Sequence, residues 1–104
     1  MYVILTSKPG QFRTELVPGL LPVEAYDYMF YGKKKAQFVI AEIEGETKVR
    51  VIDEVFPPVL NLVPSKFLEK FDTVAAARRE LAHLTAFGSM QAVLEPAPVP
   101  QPVA

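Results

Sequence analysis

The stretch Ala36-Gln37-Phe38-Val39-Ile40-Ala41-Glu42-Ile43 decides how this chain folds. Six of its eight positions are apolar, with no strict alternation of hydrocarbon and charge, so it reads as a β-strand covered on both faces. Whatever surrounds it must supply two layers of cover.

Downstream, two hairpin registers compete for the link to Lys48-Val49-Arg50-Val51-Ile52. A two-residue loop at Gly45-Glu46 sets Ile43 against Lys48 and mixes charge with hydrocarbon. A three-residue loop, Glu44-Gly45-Glu46, sets Val39, Ala41 and Ile43 against Val51, Val49 and Thr47, and Glu42 against Lys48. The second register is the expected one. It leaves Phe38, Ile40 and Ile52 on a further apolar face, which makes these three the candidate partner-binding residues.

Upstream, Tyr2–Thr6 is a β-rich run closed by Ser7-Lys8-Pro9-Gly10, and Phe12–Val17 is a short, half-polar edge candidate closed by Pro18-Gly19. Leu20–Pro22 reads as loop. Val23–Tyr31 follows as a strand with Tyr26, Tyr28 and Phe30 on one face, joined to the central strand through Gly32–Lys35. Beyond Asp53-Glu54, the pair Pro57-Pro58 removes two amide donors and forbids helix, so the chain turns into a short run from Val59 to Val63. Pro64-Ser65 opens a single helical turn over Lys66–Phe71.

One long helix is expected from Val74 to about Phe87, capped by Asp72 or Thr73 and stopped by Gly88, with Val74, Ala77, Leu81 and Leu84 as its apolar stripe. From Ser89 the periodicity fails, and Glu95–Pro102 alternates proline with other residues, the pattern of a flexible or polyproline II tail. The expected fold is α+β. It comprises a bent antiparallel sheet or small, partly open barrel of five to six strands, with one C-terminal helix. The domain spans residues 1–88 and the Pro-rich tail residues 89–104.

Composition narrows function by exclusion. The 104 residues hold 11 basic and 12 acidic side chains and no cysteine, which removes disulfides, thiolate metal sites and a thiol nucleophile. A formal charge of −1 weighs against a domain built to grip polyanions. No apolar run approaches the ~20 residues of a membrane span, and no charged leader with a long apolar core opens the chain, so a soluble, cytoplasmic protein is expected. No phosphate-binding glycine loop, G-x-S-x-G elbow or internal repeat occurs.

Candidate chemistry is sparse. His83 is the lone histidine and sits off the helix stripe, near Arg79. Glu42, Glu44, Glu46, Asp53 and Glu54 are oxygen ligands in type, but the expected register ties Glu42 to Lys48 and puts Glu44 and Glu46 at a hairpin tip. Neither metal nor cofactor is expected. Three functions remain. The first is a non-catalytic accessory or adaptor subunit that self-associates or meets a protein partner through Phe38, Ile40 and Ile52. The second is a single-stranded nucleic-acid module using Lys33, Lys34, Lys35 and Tyr31, since bases stack on rings while phosphates follow lysines. The third is an acid–base enzyme or ligand-binding protein with a pocket between sheet and helix, drawing on Asp27, Tyr28 or His83, or on Asp27 or Glu24 with a tyrosine of the 26–31 segment.

Overall fold

Residues 1–85 and 92–100 are described by the computed structural model. Seven strands and one α-helix form among them, against the five to six strands expected. In chain order they are β1 (Tyr2–Ser7), β2 (Phe12–Glu15), β3 (Leu20–Phe30), β4 (Lys33–Ile43), β5 (Lys48–Asp53), β6 (Leu60–Pro64), α1 (Val74–Leu84) and β7 (Ala92–Ala97). A single 3-10 turn at Ser65–Phe67 follows β6. The strands make two antiparallel sheets rather than one barrel, a four-stranded sheet in the order β1-β4-β3-β7 and a three-stranded sheet in the order β2-β5-β6.

Strand β4 lies at the centre of the larger sheet and is covered on both sides. One face carries Val39, Ala41 and Ile43, which cluster with Val3, Leu5 and Ala25 of the same sheet and with Leu16 and Val49 from the smaller-sheet side. The other face carries Ile40, fully buried with Ala77 and Leu81 of α1, with Tyr2, Ile4, Tyr26, Phe38 and Leu94 packed around them. The layers therefore run small sheet, large sheet, helix. The class and the doubly covered central strand agree with the reading of the Ala36–Ile43 run.

The expected hairpin between β4 and β5 does not form. Both hydrogen-bonding edges of β4 are occupied, one by β1 with Val3 opposite Ala41, the other by β3 with Ala25 opposite Val39. No ladder edge is left for β5, and the chain crosses to the second sheet, where β5 pairs with β2 and β6. Glu42 consequently lies opposite Tyr2 and Leu21, and Lys48 opposite Pro64. Val49 still meets Ala41 and Ile43, but face to face across the two sheets.

Two further expectations are corrected. Leu20–Pro22 belongs to β3, because a bulge at Val23 resets the pairing from Pro22 opposite Ala41 to Glu24 opposite Ile40 and buries Leu20 beside Ile43. The first half of the Pro-rich segment is strand β7, with Pro96 opposite Tyr26. An edge strand makes ladder bonds on one side only, so proline is tolerated there. Helix α1 starts as read, with the Thr73 hydroxyl accepting from the Ala76 amide at 3.0 Å. Its expected end at Phe87 and stop at Gly88 lie outside the described residues, as do residues 101–104. No helix among the described residues is long and apolar enough to cross a membrane.

Candidate functional site

The outward face of the smaller sheet is built by alternation. Val49, Val51 and Val63 line a cleft of about 180 Å³ between the sheets with Leu5, Phe12 and Leu68, so the intervening residues of each strand point away from the core. The register lays these outward residues in three rows, Arg13–Ile52–Leu60, Glu15–Arg50–Leu62 and Lys48–Pro64. Leu60 and Leu62 are 49% and 52% exposed, and the loop that feeds them presents Val55, Val59 and Phe56, the last 90% exposed. Most of the charge on this face is settled within the chain: Arg13 reaches Glu15 at 3.7 Å and Glu54 at 3.6 Å, and Arg50 reaches Glu15 at 3.6 Å, while Lys48 is exposed at the end of β5 opposite Pro64. The β6 half of the surface is left uncharged.

Among the described residues the backbone of β6 is open as well. Asp53 donates its amide to the Val59 carbonyl at 2.9 Å, and Ser65 donates to the Thr47 carbonyl at 2.8 Å. Antiparallel pairs alternate between bonded and non-bonded, so Val59, Asn61, Val63 and Ser65 direct their amides and carbonyls toward β5. Leu60 and Leu62 direct theirs to the free edge of the sheet. A strand edge beside exposed leucine is an adhesive surface that proteins usually blunt with charge. From Val55 to Ser65 this chain carries no charged residue. That gap in the charge pattern is the sequence signal that marks Phe56, Leu60 and Leu62, which the reading of the chain missed.

The three expected partner-binding residues do not share a surface. Ile40 is fully buried and Phe38 packs in the same cluster under α1, because the helix supplies the second cover that the sequence left open. Ile52 lies in the other sheet, in the outward row between Arg13 and Leu60. Of the three it alone borders the exposed apolar face.

No protein-family model, curated protein or solved structure matches the chain. The candidate site therefore rests on the geometry of the residues themselves.

The β3–β4 tip is a two-residue turn, with Phe30 opposite Lys33 and both Tyr31 and Gly32 at positive φ, 51° and 75°. This is the pattern of a type I′ hairpin, whose twist suits the strands it joins. Tyr31 is 64% exposed and lies edge-on to Phe30 with ring centroids 4.5 Å apart. Lys33, Lys34 and Lys35 are all exposed, and Lys34 pairs with Asp27 at 3.2 Å. Tyr26, by contrast, packs in the cluster beneath α1 and is no platform for a base.

Of the acid–base candidates, Glu24 meets a tyrosine of the 26–31 segment, Tyr26, and the partner the sequence did not foresee is Arg78. The bulge at Val23 turns Glu24 to the helix side of β3, where Arg78 donates from Nε to its Oε1 at 2.8 Å and from Nη2 to its Oε2, while the Tyr26 hydroxyl donates to Oε1 at 2.6 Å. The Arg78 hydrogen bonds, outweighing the opposing effect of burial and helped by Tyr26, bring the Glu24 carboxyl from 4.5 down to about 2. The bond to Glu24, followed by desolvation, raises Tyr26. A carboxylate held ionised and a phenol held protonated clamp helix to sheet and exchange no proton near neutrality. A cleft of about 170 Å³ beside α1 is lined by Ile4, Thr6, Glu69, Phe71, Glu80 and Leu84. Asp27, Tyr28 and His83 do not line it; Tyr28 is paired opposite Ala36, and His83 is exposed on the helix. Among the described residues no three His, Asp or Glu side chains gather as a metal site, and Glu42, Glu44, Glu46, Asp53 and Glu54 are dispersed over both sheets and their links.

Proposed function

We propose that this domain is a non-catalytic accessory or adaptor subunit that works by protein–protein contact, through the outward face of β6 and the loop before it. The observation that supports this reading is the coincidence of an open backbone edge at Leu60 and Leu62 with exposed Phe56, Leu60 and Leu62 in a segment without charge. The test is recovery of the tagged chain from its native source after nuclease treatment and at high salt, beside Phe56→Asp and Leu60→Lys variants checked for folding by circular dichroism. A stoichiometric protein retained by the native chain and lost from both variants is the expected result. Equal recovery with folded variants would remove this surface from the reading.

A second reading attaches to the β3–β4 tip, where exposed Tyr31 stands beside exposed Lys33 and Lys35. Single-stranded nucleic acid bound there would weaken with salt and be lost when Lys33, Lys34 and Lys35 are all changed to Glu. Binding that survives that triple change would dispose of it.

A further inference from the structure

Resting on the protein-contact reading, we infer that the occupant of the β6 edge is a second copy of this chain, paired antiparallel about a twofold axis at Asn61. Three observations select a copy of itself.

The first is the match of backbone groups. With Asn61 on the axis, Leu60 of one copy lies opposite Leu62 of the other. The amides and carbonyls of Leu60 and Leu62 are then all satisfied, giving four hydrogen bonds; the Pro64 carbonyl, which the same alternation directs outward, falls opposite Pro58 of the other copy and takes no part. Pro58 and Pro64 bound the segment and offer no amide beyond it, so the pairing has a defined length. Shifting the axis to Leu60 or Leu62 sets an outward leucine group against one of these prolines and loses a partner.

The second is charge. Identical charges would face each other near the axis, and Val55–Ser65, which straddles it, carries none, while Arg13, Arg50, Glu15 and Glu54 are already paired within each copy and Lys66, beside Phe67, falls opposite the uncharged Phe56 of the other copy. On the axis the two exposed Asn61 side chains face each other, each offering both donors and an acceptor.

The third is area. The same antiparallel register runs the Val55–Val59 loop of one copy alongside the Ser65–Phe67 turn of the other, where Phe67 is 71% exposed. Val55, Phe56, Val59, Leu60, Leu62 and Phe67 together leave roughly 600 Å² of apolar side chain in water, at the top of what a monomer usually carries. Two copies covering theirs reach the ~1,200 Å² at which stable interfaces begin.

The absence of cysteine makes the register directly readable. Positions on a non-bonded antiparallel pair bring their Cα atoms to about 4.5 Å, within disulfide range. Asn61→Cys is therefore expected to crosslink under mild oxidation into a species of twice 11.6 kDa, faster than Arg79→Cys on the exposed side of the helix. The native chain is expected to sediment as a dimer, and Leu60→Lys/Leu62→Lys to halve its mass with an unchanged circular dichroism spectrum. A dimer that persists in that double variant, or an Asn61→Cys chain that crosslinks no faster than Arg79→Cys, would overturn the pairing. A native chain that is monomeric throughout, yet loses a recovered protein on Phe56→Asp, would overturn self-pairing while leaving the contact reading intact.

Discussion

Truncating Leu81 to alanine tests the layer order on which every surface assignment depends. Leu81 is fully buried, with Ile40 of the central strand and Ala77 of its own helix as buried neighbours. The loss is the transfer energy of the removed carbons plus a cavity that these neighbours close only in part, and a short peripheral helix has some freedom to settle, which places the cost at about 3 kcal/mol. For a domain of this size that is a fall in Tm of roughly 12–18 °C. The urea midpoint would drop by about 2 M, on a slope near the lower end of 1–3 kcal/mol/M. Leu84, three residues on and read from the sequence as part of the same stripe, is 53% exposed, so Leu84→Ala should stay within about 0.5 kcal/mol. Both variants are measured side by side by urea unfolding followed by circular dichroism. Equal costs for the two leucines, or a Leu81→Ala cost under about 1 kcal/mol, would show that α1 does not present this face to β4. The burial of Phe38 and Ile40 would then fail with it.

Other expectations follow from single contacts. Glu24 has its carboxyl lowered from 4.5 to about 2, so its contribution is complete above 4.5 and disappears as pH falls through about 2. Glu24→Gln should accordingly be less stable than the native chain at pH 7, with the gap in urea midpoint closing as pH approaches 2; a gap independent of pH refutes the ionised clamp. Thr73→Ala removes the acceptor for the Ala76 amide and should cost about 1 kcal/mol, whereas Thr73→Ser should be close to neutral in the same unfolding assay. Gly32→Ala has open space around the added methyl but a φ of +75°, so its cost of roughly 1 kcal/mol should come from backbone strain alone; an unchanged Tm would contradict the turn geometry.

What the sequence made legible was whatever one face or one turn specifies locally. The Ala36–Ile43 run announced a strand needing two covers, the 3-4 spacing of Val74, Ala77 and Leu81 announced the helix, and Thr73 announced its start. Pairing partners were harder, because the neighbour in sequence is only the commoner neighbour in space. The face chosen for Val39, Ala41 and Ile43 was right, and Val49 does lie against it, yet the contact is made between sheets, since β1 arrives from more than thirty residues away to take the edge of β4. Nothing near β4 in sequence encodes that competition. Proline misled for a similar reason: Pro96 lacks a ladder donor, a defect in a central strand and tolerable at an edge. Whether β7 is an edge is decided by topology.

The displacement of the candidate surface follows from the same physics. An apolar face left uncovered by local pairing was assigned to β4, and the requirement for burial was met there by α1, acting from 34 residues further along the chain than Ile40 at its first residue, Val74. The surplus did not vanish with that cover. It reappears on the strand that, among the described residues, no helix reaches and no third layer overlies. Ile52, the one residue common to both accounts, marks the border between the ion-paired strands and the uncharged one. A small domain with seven strands and a single α-helix among its described residues can cover one sheet on both sides and the other on one only. In most such sheets the remaining face is made soluble by charge. Here the charge stops at β5, and the hydrocarbon and the open backbone begin together at β6, which is why that edge, and not the residue types usually searched for chemistry, carries the functional reading.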